Sequence, residues 1–423
     1  MKIAIIGSGS TYTPELVEGL INRKDRFPVT EIVMYDIHDR KLNIVGKLAE
    51  RMLKAGNMNA KLTLTKDLKL TLEGASFVFA QIRVGMLPAR VLDEKIPQKY
   101  MLLGQETTGI GGFFKGLRTI PVLMDIAENM EKLCPDAFMI NFSNPSGIIA
   151  EALLNHTNIK MLGLCNAPLG LIRYPQKAFG FEDGEVDYVG LNHMSIITGI
   201  RKDGRDYMRE AVTGNNELLD KLNWMMGMPK EDILLMEGVP NYYMNYFLHP
   251  RRSVYKTLSS TTTRGEDCIA IEEDLLKMFS DEKLCHKPKE LEKRGGAMYS
   301  EAAVSLAESI HSDNNAIHVV NTLNKGALNF LADNDSIEVR AKVGKNGATP
   351  IPVQENGSAL AQNLIRSVKT YENYTVKAAI SGSRIDAIRA LAANPLIQDI
   401  DVAKACFEEM LIAHKEYLPR FFA

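Results

Sequence analysis

The stretch "KIAIIGSGSTYTPE", residues 2–15, decides the fold. Four apolar residues, Ile3 to Ile6, read as a short strand that stops at Gly7-Ser8-Gly9. A helix follows from about Pro14 to Asn22. Glycine between a strand and a helix allows a tight turn and lets backbone N–H groups approach a pyrophosphate at the helix N-terminus. Working outward, "EIVMYDI" is a second strand ending at Asp36. A carboxylate there can accept hydrogen bonds from a ribose diol, which favours NAD over NADP. The third glycine of the usual fingerprint is missing, and Tyr12 stands in its place. We read Gly7, Ser8, Gly9, Ser10, Thr11 and Asp36 as the dinucleotide contacts.

The pattern repeats along the first half. "HDRKLNIVGKLAERMLKAG" has helical spacing, with Leu42, Val45, Leu48, Met52 and Leu53 on one side. "KLTLT" (61–65), "SFVFAQI" (76–82), "AFMINFS" (137–143) and "KMLGLC" (160–165) read as strands. Helices are expected over about 119–133 and from Ser146 to Asn155. Strand–helix alternation predicts a Rossmann-like, doubly wound parallel sheet over residues 1–195. Beyond it, helical stretches dominate: 205–226, 264–280, 296–312, 356–372, 374–393 and 400–415, with "SIEVRAKV" (336–343) as a strand-like interruption. The fold class is therefore α/β, and residues 196–423 are expected to form a mainly helical α+β domain for substrate binding, catalysis and oligomerisation.

Bulk properties exclude several functions. A chain of 423 residues is too long for one typical core. Lys+Arg (50) and Asp+Glu (52) nearly balance and are interspersed, so no nucleic-acid partner is expected. No apolar run approaches the roughly 18 residues of a membrane span. "MKIAIIGSGS" reads as a first strand and not as a secretory signal. Five dispersed cysteines without a CxxC pair imply reduced thiols and a cytoplasmic location.

Two residues suggest a metal. Cys165 lies at the C-terminal end of a strand, the edge where open parallel sheets bind ligands. His193 follows in "YVGLNHMSII" (188–197). Thiolate and imidazole together suit a divalent ion such as Mn²⁺, Fe²⁺, Co²⁺ or Ni²⁺, with other positions open to water or substrate oxygens. Alone, a cysteine after a strand is more often a small buried apolar residue, and a lone histidine a structural group. Their 28-residue separation matches no zinc spacing.

A set of motifs then occurs in one order: "IAIIGSGSTYTPEL", "QIRVGMLPARVLDEKIPQKYMLLGQETTG", "NFSNPSGIIAEA", "LGLCNAPLG", "GLNHM", "VPNYYMNYF", "TTTRGE", "KPKELEKRGGAMYSEAA" and "GKNGATPIP". Together they resemble glycoside hydrolase family 4, the NAD- and metal-dependent glycosidases, and within it most closely those acting on 6-phospho-β-glucosides. The resemblance implies that Cys165 and His193 bind the metal. It implies that Tyr243, in Pro240 to Tyr246, is the proton-abstracting base, with Tyr242 beside it as a competitor for that assignment. Glu106 of "GQET" would raise the basicity of that tyrosine. Arg90, Asn144 and Arg264 would bind substrate. The family often has Glu-Val-Pro near residue 338, where this chain has Glu338-Val339-Arg340; no catalytic role rests on that proline.

The chemistry implied is redox-assisted elimination instead of a two-carboxylate displacement. NAD⁺ removes hydride from C3 of the sugar, which acidifies the C2 proton. The metal stabilises the enediolate, Tyr243 takes the proton, the aglycone leaves, water adds, and hydride returns. Asn166 sits where some α-acting relatives carry an acid, so the substrate-side Asn166 favours β-linked phosphorylated disaccharides. Sugars carrying phosphate on O6 arise during import, which again implies the cytoplasm. The alternatives are a 6-phospho-α-glucosidase, a lactate/malate-type NAD dehydrogenase and a non-catalytic NAD sensor. A homodimer or homotetramer is expected, and "NWMMGMPKEDILLM" (223–236) could line its interface or belong to the core.

Overall fold

A computed structural model describes residues 1–294 and 299–423 of the chain. Its main sheet has nine strands. Six of them, β1 (Lys2–Ile6), β2 (Glu31–Tyr35), β3 (Lys61–Thr65), β4 (Phe77–Ala80), β5 (Phe138–Asn141) and β6 (Lys160–Gly163), run parallel in the order β3-β2-β1-β4-β5-β6. This is the doubly wound dinucleotide-binding order, whose switch point lies between β1 and β4. A hairpin of β7 (Glu185–Leu191) and β8 (Met194–Lys202) stands apart, extended by β9 (Arg205–Asp206) and β10 (Val239–Pro240). Then β11 (Ala316–Leu323), β12 (Ser336–Gly344) and β13 (Gly347–Pro350) return to the main sheet and continue it antiparallel beyond β6. The chain after residue 195 thus supplies three strands to the sheet that the first half begins.

The central strands are apolar throughout because both faces are covered. Ile3 and Ile5 enter one core, while Ala4 and Ile6 enter the other. The first core receives Leu16, Val17 and Leu20 of the helix Thr13–Ile21, and also Leu42, Val45, Leu48, Met52 and Leu53 of the helix Asp39–Ala55. The second is filled by the helices Gly109–Leu133, Ser146–His156 and Ala359–Ser381. None of the described helices is long and apolar enough to cross a membrane.

Three of the expected helical regions differ from expectation for local reasons. The helix expected from 119 begins at Gly109, since Gly111 and Gly112 are compatible with a helix here and required by packing. A Cβ on Gly111 would lie 2.5 Å from the Gln105 carbonyl oxygen, and one on Gly112 would lie 2.4 Å from Thr107 backbone. The stretches 356–372 and 374–393 divide at Gly382, not at residue 373, giving Ala359–Ser381 and Arg384–Ala393. Gly382 takes φ +72°, the left-handed helix-ending conformation. The stretch 205–226 divides at Gly214 into Tyr207–Thr213 and Asn216–Met226. Part of the motif "KPKELEKRGGAMYSEAA", and the start of the helix expected at 296, lie outside the described residues.

Candidate active site

The carboxyl ends of β1, β2, β4, β5 and β6 open on one edge of the sheet, and Gly7, Asp36, Asn144 and Cys165 lie just past the ends of β1, β2, β5 and β6. At β1, Gly7 takes φ +82° and its N–H, like that of Ser8, donates to the Tyr35 carbonyl. The Asp36 carboxylate folds over this turn: Oδ2 accepts from Gly9 N–H at 2.8 Å and Oδ1 from His38 N–H at 2.9 Å. A Cβ at position 9 would collide with that carboxylate. Ser8 Oγ is buried without a hydrogen-bond partner among the described residues. A glycine cradle, an orphaned hydroxyl and a carboxylate poised over both are what a dinucleotide needs here. Tyr12, in place of the third glycine, donates its hydroxyl to the Arg294 carbonyl at 3.0 Å, tying the turn to a distant segment.

Beyond β6, Cys165 Sγ lies 3.5 Å from His193 Nε2, and both residues are buried. For zinc, bonds of about 2.3 Å to sulfur and 2.0–2.1 Å to nitrogen near a tetrahedral angle set two donors roughly 3.5 Å apart, and other divalent ions need a similar separation. The pair is therefore already spaced to share one ion. Its partner imidazole is presented by the two-residue turn Asn192-His193 between β7 and β8, with His193 at φ +63°. Left-handed backbone in a non-glycine residue costs energy and persists only where its surroundings hold it. Burial pushes His193 down to about 3, which keeps the imidazole neutral and able to ligate. No cluster of three or more His, Cys, Asp or Glu side chains able to hold a metal occurs among the described residues.

Tyr243 stacks on this imidazole, with ring centroids 3.8 Å apart and planes at 17°. Tyr242 packs against Tyr243, with ring centroids 4.4 Å apart, and is 62% exposed. Of the two tyrosines, Tyr243 is the one against His193. Burial, Tyr242 and the charges of Cys165 and Glu106 all push its phenol above the ordinary tyrosine range.

Glu106 is the hub of a buried charge cluster. Its Oε2 accepts from Arg83 Nη1 at 2.6 Å and Lys115 Nζ at 3.2 Å, and pairs with Arg90 Nη1 at 3.2 Å. Burial alone would raise this carboxyl, but the three cations overcome it and hold it well below the usual range. Burial and the two arginines push Lys115 down to about 7, against the pull of Glu106. Arg90 also donates Nε to Glu94 Oε1 at 2.7 Å, and Glu94 Oε2 accepts from Gly265 N–H at 2.7 Å. That bridge sets the N-terminus of the helix Arg264–Phe279 beside the cluster. Arg264 itself is exposed and donates to the Lys293 carbonyl at 2.9 Å. Asn166 occupies the N-cap position of the helix Ala167–Phe179, next to Cys165, and Asn144 precedes Pro145 through a cis bond at the end of β5.

The structure thus brings Cys165, His193 and Tyr243 into direct contact and joins Arg90 to Glu106. Arg264 begins the helix whose Gly265 N–H donates to Glu94 beside this cluster, and its own side chain is exposed. Sequence reasoning passed over Arg83 and Lys115. Arg83 sits just past the carboxyl end of β4, a position that does carry a signal. Lys115 lies in a glycine-rich stretch whose helical character is not evident from the residues alone.

The profile of the family 4 glycosyl hydrolases matches residues 2–179, and that of their C-terminal domain matches residues 188–397. The chain belongs to glycosyl hydrolase family 4. It is 41% identical to a probable 6-phospho-β-glucosidase of Bacillus subtilis, covering 100% of this chain and 98% of that one. It is 36% identical to a 6-phospho-β-glucosidase of Escherichia coli, over 100% and 97% respectively. Among solved structures, the 6-phospho-β-glucosidase of Thermotoga maritima with NAD and glucose-6-phosphate superposes with a TM-score of 0.90 at 34% identity, covering 99% of each chain. Another crystal of that enzyme contains manganese, NAD⁺ and glucose-6-phosphate. As a family 4 member the chain is a glycosidase, and the hydroxy-acid dehydrogenase and sensor readings give way to that one.

Proposed function

We propose that this family 4 enzyme hydrolyses 6-phospho-β-glucosides of the phosphorylated-disaccharide type, using NAD and one divalent ion, Mn²⁺ foremost. The observation that carries the reading is one constellation: a thiol 3.5 Å from an imidazole that is itself stacked on a buried tyrosine. It stands at the carboxyl edge of a dinucleotide-binding sheet. The named substrates and cofactors of the similar enzymes support the same substrate class.

Cys165 and His193 would hold the ion and the Gly7–Asp36 turn the dinucleotide; bound there, they supply Lewis acidity and a hydride acceptor for sugar C3. Tyr243 removes the C2 proton at its phenol oxygen. Because burial favours the neutral phenol, positive charge must be close for that oxygen to act as a base. Glu106 stays ionised and fixes Arg83, Arg90 and Lys115 in one place. Arg90, Asn144 and Arg264 orient the sugar and its phosphate, for which the guanidinium fork is suited. Asn166 holds the sugar and, as an amide, protonates no leaving group, which favours the β-anomer. We place the reaction in the cytoplasm, in a homodimer or homotetramer. Exposed Trp224, Leu234 and Leu235, on two successive helices, support such an assembly.

The deciding assay uses p-nitrophenyl 6-phospho-β-glucoside and its α-anomer, with and without NAD⁺, Mn²⁺ and chelator. Hydrolysis of the β-anomer that needs both additions, without net NADH, is expected. Deuterium from solvent should appear at product C2. Hydrolysis without that label would overturn the elimination mechanism.

A further inference from the structure

A continuous run of buried polar side chains joins the turn that carries His193 to the turn that carries Tyr243. Its centre is Glu338, on β12 and 1% exposed. Glu338 Oε2 accepts from Asn192 Nδ2 at 2.8 Å and from Asn321 Nδ2 at 3.5 Å. Asn192 is the residue before His193. Glu338 Oε1 accepts from the Tyr188 hydroxyl at 2.5 Å. The Tyr188 oxygen is 2.7 Å from Ser195 Oγ, which accepts from Asn241 Nδ2 at 3.2 Å. Asn241 Oδ1 then accepts from Tyr243 N–H at 3.1 Å, and Asn241 N–H donates to the Ser195 carbonyl at 2.8 Å.

Burial raises the Glu338 carboxyl above its ordinary range, and the bonds from Tyr188, Asn192 and Asn321 oppose that shift; in its ionised form the carboxylate only accepts, so it fixes the direction of every bond leading to it. Tyr188 must spend its proton on Glu338. Ser195 must then donate to Tyr188, which leaves its own oxygen to accept from the Asn241 amide nitrogen. That orientation turns the Asn241 carbonyl oxygen toward Tyr243 N–H. On the other side the same carboxylate pins Asn192 and with it the left-handed His193, a conformation that needs such a hold. Every bond of the two arms is made within the protein, and only the flanking Asn321 leaves its Oδ1 buried without a partner among the described residues; buried hydrogen-bonded chains of this kind are rigid.

We propose that Glu338 is a positioning residue that sets His193 and Tyr243 relative to one another through two separable arms, Asn192 toward the metal ligand and Tyr188–Ser195–Asn241 toward the base. The inference rests on the assignment of His193 as a ligand and Tyr243 as the base. Asn192→Ala breaks the first arm only, Tyr188→Phe the second only, and Glu338→Leu both, since it leaves no acceptor at either end. The full-length chain is titrated with Mn²⁺ alone by calorimetry, and kcat and KM are measured on p-nitrophenyl 6-phospho-β-glucoside with NAD⁺ and saturating Mn²⁺. Asn192→Ala should weaken Mn²⁺ binding by about 10- to 100-fold, the usual effect of losing an outer-shell partner. Tyr188→Phe should leave Mn²⁺ affinity within about twofold while kcat falls at least about tenfold at unchanged KM. Glu338→Leu should show both losses. If Glu338→Leu does not fold, the other two variants carry the comparison. All variants lowering affinity and kcat in equal proportion, or none changing either, would overturn the proposal. Wild type failing to bind Mn²⁺, or His193→Ala binding it unchanged, would instead remove the site assignment and this inference with it.

Discussion

Replacing Glu106 with glutamine deletes the charge on which three buried cations converge. Arg83, Arg90 and Lys115 lie 2.6, 3.2 and 3.2 Å from one carboxylate oxygen. Breaking a buried ion pair from one side costs about 3–5 kcal/mol, because the remaining charge is left without a partner. Part of this cost depends on pH. In the wild type Lys115 loses its proton at about 7; without Glu106 it must lose it lower still. In the unfolded chain a lysine holds its proton to about 10.4. A depressed lysine therefore makes folding release a proton, and that release becomes harder as pH falls. Above about 7, Lys115 is neutral in both folded proteins and contributes equally. Below it, the variant falls behind the wild type by a further ~1.4 kcal/mol per pH unit, until its own Lys115 titrates. Urea unfolding of the full chain, free of metal and dinucleotide, should show the Glu106→Gln deficit to be about 1 kcal/mol larger near pH 6 than near pH 8. Adding Lys115→Met to both backgrounds should erase that difference. A deficit that is the same at both pH values, or larger at the higher one, would refute the account of the cluster.

His193→Ala or Cys165→Ser should lower Mn²⁺ affinity by more than about 100-fold in a calorimetric titration, since each removes a direct ligand. Tyr243→Phe should leave that affinity intact, reduce kcat by about 10²–10⁴-fold and abolish solvent deuterium at product C2. Asp36→Ala should raise the KM for NAD⁺ and narrow its preference over NADP⁺, measured by reactivation of dinucleotide-free enzyme. The same substitution deprives Gly9 N–H of its acceptor, so a small loss of thermal stability should accompany it.

The first half of the fold was readable because its signals are local. An apolar run ending in glycines, then an amphipathic helix, repeats without long interruption, and the buried positions of Asp39–Ala55 are those its spacing predicts. Asp36 could be placed because it ends the apolar run of the second strand, which is itself readable in the sequence. Cys165 and His193 were different. Their meeting depends on the β7–β8 hairpin folding back to the edge of β6, and nothing in the 27 intervening residues announces it. Only the family resemblance linked them. The same holds for Tyr243, since the adjacent Tyr242 has the same chemistry and differs only in facing outward. The Glu106 cluster stayed hidden for another reason. Lys115 looks like a solvated charge in a glycine-rich segment, yet those glycines exist to let the helix approach the Gln105–Thr107 backbone and bury it. Strands β11–β13 were only partly visible, through "SIEVRAKV", because antiparallel pairing at a sheet margin leaves a weaker apolar signature than a central parallel strand.

Those three strands carry a consequence for how the chain is made. β6 is complete about 150 residues before β11 begins, yet β11 is what covers its outer side. At a synthesis rate of about 5–20 residues per second, roughly 8 to 30 seconds pass between the two. During that interval a nascent sheet with an uncapped flank waits at the ribosome, open to pairing with neighbouring nascent chains. Slow translation of the intervening region, or ribosomes crowded on one messenger, should therefore lower the yield of folded enzyme without any change to its finished stability.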